Sequence, residues 1–480
     1  MKYFNKISSR FILLQCVIFI LFCYWIFISD GGIIFKNSSS HGIKAEYFET
    51  VDKKHSANGK ILLSRLSESN FQAAKKHFRY FTEDFKIENE RVKGWMKDEV
   101  QLCGGRIKIY ASEYGIARGI TMFPGNRPKV NQQPKGGEEV RKVLGQAEEL
   151  ETYQFGSNFW VCNFNKTENF GNTGDFYWNN KITIKRQQNP LNVSKKTEKN
   201  YVVGVRRQDY ANLHNWVRNI YNIFLIMVHF RLQPSEVSIL FLDGHPYTPL
   251  DNAWAKIFSE PVRVGHLSEP VYYENFIWGF QENKGLITEF EAGNVPYLEE
   301  FRSFVLSRFD IPQQDHLDCS NLQLTLILRR NAIYHPRNAE GKVTRKIFNE
   351  AEIVETLQKT FPTANVQVVL MEALPMKSQI EISSKTDIWI GMHGAGMSHV
   401  TFLPKHAAVL ELFQKDFKVE RPWFICFHSI TKWRDMKYDT WENMDTEFEM
   451  PSDFTVVPPD VIANKTTNLA NQICDNNLMN

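Results

Sequence analysis

Between Leu322 and Phe413 short apolar runs alternate with helical patterns, and nothing else in this 480-residue chain restricts its fold so closely. Leu322 to Leu328 (LQLTLIL), Val366 to Met371 (VQVVLM), Asp387 to Met392 (DIWIGM) and Ala408 to Phe413 (AVLELF) predict strands. Glu350 to Phe361 and Met376 to Lys385 predict helices, His393 to Gly396 a turn, and Met397 to Leu403 a short helix. A series in which strand, helix and strand recur dictates a parallel sheet with right-handed crossovers, a Rossmann-like half. A less regular α/β half precedes it, with a helix around Asn215 to Arg231, a strand from Val237 to Leu242 and another near Val262 to His266. The expected fold class is therefore α/β, two Rossmann-like halves facing a cleft. Pro459 to Cys474, with Pro in the first turn, reads as a closing helix.

Ahead of these halves, Phe11 to Ile28 is apolar but for Gln15, with Lys2, Lys6 and Arg10 before it and Asp30 after it. That is the pattern of a signal-anchor, and the positive flank predicts a cytosolic N-terminus with the bulk of the chain in the lumen. A cleaved signal peptide would have a shorter apolar core and a small-x-small site, which Ile26 to Gly31 does not offer. The expected organisation is a cytosolic tail (1–10), a transmembrane helix (11–28), a stem (29–90), a first α/β half (91–310), a second (311–455), and a C-terminal helix and tail (456–480).

Composition narrows the function. With 57 basic and 54 acidic residues the net charge is +3, and no Lys/Arg-rich block supplies the stripe that nucleic acid requires. Cys16 and Cys23 fall in the anchor, leaving Cys103, Cys162, Cys319, Cys426 and Cys474. Five is odd, so at most two disulfides form among them, in a pairing the sequence leaves open; no CxxC spacing points to zinc. Sequons at Asn37, Asn165, Asn192 and Asn464 agree with a luminal chain.

The chemistry concentrates at Gly391-Met392-His393-Gly394-Ala395-Gly396, between a predicted strand and a helix. In a parallel α/β sheet, ligands bind at such strand ends. Small residues let the backbone approach a phosphate, the helix N–H groups favour an anion, and His393 is a hydrogen-bond donor for a pyrophosphate; a merely structural turn is the competing reading. Arg329 and Arg330 end the first strand of the same half, with Arg345 and Asn349-Glu350 beyond, and arginines there suit phosphate oxygens, unless carboxylates or solvent take them. Glu411 on the last strand suits ribose hydroxyls or a structural ion pair. In the first half Asp209, His214, Asp243 and His245 are candidates for the base that deprotonates an acceptor hydroxyl, each equally a cap, turn or surface residue. The chain holds no Asp-x-Asp to carry a divalent metal, and no Gly-x-Ser-x-Gly nucleophile elbow. An acidic ribose partner about 20 residues past the glycines is missing too, which disfavours a nicotinamide dehydrogenase.

Taken in order, LILRR, RKIFNE, a helix bearing Gln379, DIWIGMHGAGMSHVTFLP and VLEL resemble glycosyltransferase family 61. FLDGHPYTPLDNAWAKIFS, RQDYANLH, RRNAIYHPRN and ERPWFICFHSITKWRDMKY are similar to its beta-1,2-xylosyltransferase branch. The resemblance implies a GT-B architecture and inversion at the anomeric carbon, with UDP-xylose as donor, no required cofactor or metal, and the core mannose of a Golgi N-glycan as acceptor. Carried over, Arg329, Arg330, Arg345, Asn349, His393, Gly394, Ala395, Gly396 and Glu411 face the donor, in the second half. Asp209, Asn212, His214 and Asp243 then belong to the acceptor side, in the first. One departure stands out: related enzymes carry an aromatic residue, a His and soon an Asp after Ala-Asn-Leu, whereas here His214 comes one place early and Asn215 and Asn219 fill those positions. Transfer of GlcNAc to a protein O-glycan, and an inactive luminal homologue that binds sugar nucleotide, are the alternatives the same residues leave open.

Overall fold

The computed structural model describes residues 99–102, 105–110, 114–124, 196–207, 209–245, 247–278, 295–313, 316–331, 341–417 and 426–475. The expected tail, anchor and stem, Cys103, Cys162 and the sequons at Asn37, Asn165 and Asn192 lie outside them. Among the described residues no helix is long and apolar enough to cross a membrane.

The first half runs β1 (Glu99–Leu102), β2 (Ile107–Tyr110), β3 (Tyr114–Met122), β4 (Lys196–Val205), α1 (Leu213–Phe230), β5 (Val237–Phe241), α2 (Pro249–Ile257), β6 (Val262–Arg263), β7 (Val271–Trp278) and α3 (Leu298–Arg308). Its seven strands lie in the order β1-β2-β3-β7-β4-β5-β6. Only the β7-β4-β5-β6 portion is parallel; β1, β2, β3 and β7 pair antiparallel. The parallel portion keeps the expected α/β pattern, and the antiparallel β1-β2-β3 segment extends it at β7. The chain passes from Tyr110 at the end of β2 to Tyr114 at the start of β3, far too short a link for the crossover that a parallel pair needs.

Helix α1 holds the centre of this half. Asn212 caps it, its Oδ1 accepting the His214 N–H at 2.9 Å. From Asn219 to Val228 every residue is buried, as expected of a helix apolar around its whole circumference. It stops where Arg231 turns left-handed, at φ 54°.

The second half runs β8 (Gln323–Ile327), β9 (Lys346–Ile347), α4 (Glu350–Thr360), β10 (Asn365–Val369), α5 (Met376–Ser384), β11 (Ile388–Met392), a 3₁₀ helix (Ala395–Phe402), β12 (Ala408–Phe413), α6 (Cys426–Trp433) and β13 (Lys437–Glu442). Strands β10-β8-β11-β12-β13 form an all-parallel sheet in that order. The four strands and two helices read from the sequence sit within two residues of the predicted places; β13 was not anticipated. β14 (Glu449–Met450) and β15 (Phe454–Thr455) join β9 in a small sheet, and α7 (Pro459–Asp475) closes the described chain as predicted. A disulfide joins Cys319 to Cys474, 155 residues apart, while Cys426 is a buried free thiol.

Side-chain alternation sorts the five-stranded sheet into two faces. Leu324, Leu326, Ile388, Ile390, Leu410 and Leu412 pack with Ile353 and Leu357 of α4 and Ile462, Leu469 and Ile473 of α7. Ile327, Trp389 and Val409 look the other way, into a core shared with α1, α2 and α3 of the first half. Polar clasps join the halves as well. Arg434 donates to both Glu299 oxygens at 2.7 and 3.1 Å, and Arg302 Nε donates to the Phe402 carbonyl at 3.0 Å.

Candidate functional site

Strand β8 has β10 on one side and β11 on the other, so the chain reverses its direction of sheet growth between β8 and β11. Outside the carboxyl ends of an open parallel sheet, that reversal is where ligands bind. Arg329 follows β8 there and His393-Gly394 follows β11. The two meet: a Cβ built on Gly394 would collide with Arg329 Nη1, so the guanidinium lies against bare backbone. Arg329 Nε donates to the Thr344 carbonyl at 2.9 Å. Burial lowers the Arg329 pKa, opposed in part by the neighbouring Glu372, whose own carboxyl burial pushes up.

His393 is 2 % exposed and its Nδ1 lies 2.5 Å from Oε1 of Glu411, itself 1 % exposed. The second oxygen of Glu411 accepts the Tyr438 hydroxyl at 2.6 Å. Phe413, Phe417 and Phe427 surround the imidazole, with ring centroids at 5.3, 4.7 and 5.3 Å. Arg345 sits in the left-handed region at φ 60°, uncommon for a residue with a side chain, and its guanidinium lies 5.5 Å from the Phe417 ring. Ala395 and Gly396 open the 3₁₀ helix beside the turn.

The first half reaches this edge through His214. Its Nδ1 lies 3.3 Å from Ser398 Oγ on the 3₁₀ helix, and its ring stands perpendicular to Phe427 at 5.7 Å. Burial lowers its pKa to about 3, helped by the positive charge of Arg218 and by His393, so the ring is neutral at physiological pH. Thus the structure brings Arg329, Arg345, His393, Gly394, Ala395, Gly396, Glu411 and His214 to one sheet edge.

Other expected site residues stand elsewhere or are already engaged. Arg330 is paired with Glu350 at the start of α4. Asn349 corrects the donor-side expectation: its amide donates to the Val457 carbonyl at 2.9 Å and accepts the Val457 N–H at 3.0 Å, so it fastens the approach to α7. Asp209 accepts from Asn212 Nδ2 at 2.8 Å, within the α1 capping turn. Asp243 corrects the expectation of a base. It is 3 % exposed and accepts from Arg207 Nη2 at 2.8 Å, Nε at 3.2 Å and the backbone N–H at 2.8 Å. Burial raises its pKa, but the charge of Arg207 outweighs that and holds the carboxyl well below its usual range. His245 completes the same cluster, its Nε2 2.8 Å from the Arg207 carbonyl oxygen. Tyr438, Ser398, Phe417 and Glu372 were missed; Glu372, three residues past the end of strand β10, carried a positional signal in the sequence.

Next to the site, His399 is fully buried, its Nε2 3.0 Å from Gln379 Oε1 and its Nδ1 unpartnered. Burial lowers its pKa to about 3, whereas in the unfolded chain it titrates near the ordinary histidine value of 6.5. Below pH 6.5 the unfolded state takes up a proton that the folded state refuses, so stability falls as the pH drops towards 3. Between pH 7 and 5 the wild type should lose about 2 kcal/mol more than His399→Gln, as read by urea unfolding at the two pH values.

Among the described residues no group of three or more His, Cys, Asp or Glu side chains is placed to hold a metal ion. The sequence matches the family model Glycosyltransferase 61 over residues 166–410, just over half of the chain. A beta-1,2-xylosyltransferase of Oryza sativa is 25 % identical over 260 residues, covering 49 % of this chain and 48 % of that protein. An EGF domain-specific O-linked N-acetylglucosamine transferase of Drosophila melanogaster is 29 % identical over 241 residues, covering 47 % and 42 %. The counterpart from Canis lupus familiaris reaches 36 % over 157 residues, or 32 % of this chain and 26 % of that one. The chain spans about half the length of the first two curated relatives and less of the third. With the family model spanning both halves, and the edge described above lying largely within the matched residues, the chain belongs to glycosyltransferase family 61.

Proposed function

We propose that this chain transfers a sugar from a UDP-sugar to a hydroxyl of a glycan or protein with inversion at the anomeric carbon, its two halves arranged as in GT-B enzymes. The observation that carries the reading is the convergence of Arg329, His393 and Arg345 at the edge where the strand order reverses. In the transfer the acceptor oxygen attacks C1 of the sugar, the C1–O bond to the diphosphate breaks, and its electron pair leaves on UDP. The negative charge that builds on UDP is met by the two guanidinium groups and by the imidazole of His393. Neutral His214, held by Ser398 across the junction of the halves, takes the proton from the acceptor hydroxyl. No divalent ion is required in this scheme.

As donor we propose UDP-xylose, and as acceptor the core mannose of an N-glycan. The place is the luminal side of the Golgi membrane, with residues 11–28 as anchor. The plant xylosyltransferases support this choice. A second reading, GlcNAc transfer to a protein hydroxyl, draws on the higher identity to the animal O-linked N-acetylglucosamine transferases.

The test is transfer by the full chain from UDP-xylose and UDP-GlcNAc, each offered a GlcNAc-terminated N-glycan and a folded EGF domain, with chelator present. Xylose on the glycan is the expected product. GlcNAc on the EGF domain would replace donor and acceptor together, activity lost to chelator would overturn the metal-free scheme, and UDP binding without transfer would make the chain an inactive homologue.

A further inference from the structure

We infer that Tyr438 is a positioning residue: through Glu411 it fixes His393 as the Nδ1–H form, so that every exchange of a proton or hydrogen bond with the donor passes through Nε2. The inference deepens the proposed donor site and rests on that reading for its functional consequence, although not for its geometry.

The register of the sheet builds the relay. Gly391 on β11 lies opposite Glu411 on β12, and Val409 lies opposite Tyr438 on β13. Glu411 shares a face with Val409, two residues before it, and therefore with Tyr438, which stands diagonally across the β12-β13 pair. On the other side His393 is two residues beyond Gly391, again diagonal to Glu411. Gly391 has no side chain to come between them. One buried carboxylate thus lies between an imidazole and a phenol, one to each oxygen, at 2.5 and 2.6 Å.

The chemistry then assigns the protons. A phenol has a single O–H, and here it donates to Oε2. Burial raises the Tyr438 pKa, and Glu411 raises it further, so the phenol keeps that proton. As a carboxylate Glu411 accepts at both oxygens, so the partner of Oε1 is an imidazole N–H, Nδ1–H of His393. The His393 tautomer is set by strand β13, which touches no residue of the turn in sequence. It also turns Glu411 away from the expected ribose contact, since both of its oxygens are in use within the protein. Among the described residues, other charged or titratable groups about the ring include His214 and Arg218 of α1, Arg345 behind Phe417, and Cys426 of α6. None of these takes the place of Glu411 at Nδ1.

The experiment is nuclear magnetic resonance of the full chain labelled with ¹⁵N-histidine, with the His393 signals assigned by their loss in His393→Asn, alongside UDP affinity by calorimetry. Wild type should show a protonated Nδ1 with a strongly downfield proton. In Tyr438→Phe that proton should move or broaden as Glu411 is freed to turn, and UDP should bind about 10- to 100-fold more weakly, the worth of a hydrogen bond to a charged group. A melting temperature within a few degrees of wild type separates this from general damage. An unchanged Nδ1 signature together with unchanged UDP affinity in Tyr438→Phe overturns the inference. Should Tyr438→Phe fail to fold, Glu411→Gln carries the test: its neutral acceptor should shift the Nδ1 proton upfield, and no shift overturns the relay. If wild-type chain shows the expected signature and variant response but binds no UDP, the donor reading fails and the relay stands.

Discussion

Replacing His393 with asparagine should lower the proposed sugar transfer about 100- to 1,000-fold while leaving the fold intact, the loss expected when one group that meets transition-state charge is deleted. Asparagine is the informative choice because its Nδ2 falls near the place of the imidazole Nδ1. It keeps a donor for Glu411, which lies 2.5 Å from the native ring, and removes the Nε2 edge alone. An alanine would also leave Glu411 buried with Tyr438 as its remaining partner in the relay, and would mix a stability effect into the kinetics. Steady-state transfer and a thermal melt on the same preparation check the result. Turnover at the wild-type rate in His393→Asn would remove His393, and with it the proposed arrangement of the donor, from consideration.

The second large effect is on stability. Asp243→Ala should cost about 3–5 kcal/mol, because it leaves the Arg207 guanidinium, 2 % exposed, without its main counter-charge. Arg207 also lies over the Phe241 ring at 3.8 Å and reaches Asp251 at 3.4 Å, and Arg263 shares Asp251 with it. That is a four-membered ionic cluster at the end of β5, and losing one carboxylate puts two buried cations on the remaining one. Denaturant unfolding measures the loss. The same variant series decides the place of Asp243 in catalysis: if Asp243→Asn folds with near-native stability and loses transfer outright, the carboxylate is a base after all and its structural assignment is wrong.

Sequence and structure agree best where burial on both faces of a sheet enforces apolar runs. β8, β11 and β12 are central and almost wholly buried, so their residues have no solvent side to advertise and the strands announce themselves, while β10, an edge strand with Asn365 exposed, is legible through its run of valines. β13 is an edge strand whose residues, KYDTWE, are all only half-buried, so its pattern carries no such signal. That one gap hid Tyr438, and with it the reason for the Glu411 position. In the first half the antiparallel hairpin β2-β3 escaped because β3 interrupts its apolar residues with Arg118 and Gly119. The site divided along similar lines. That Arg329 and the His393 turn would meet was legible because strand ends in a parallel sheet share an edge. Asp243 and Asn349 misled because their partners, Arg207 and Val457, are 36 and 108 residues away and no local pattern records them.

The bond between Cys319 and Cys474 ties the beginning of the second half to its last helix, and it sets an order of events on the ribosome. Cys319 is made before any strand of the five-stranded sheet, Cys474 after all of them, and Cys426 emerges in between. For the time needed to synthesise about 50 residues, a few seconds at usual rates, Cys319 has Cys426 as a wrong partner and no right one. In the folded chain α6 holds Cys426 buried in the core shared with the first half, away from the bond between Cys319 and Cys474. Mutations that loosen α6 should therefore free a third thiol and surface as chains with mispaired cysteines.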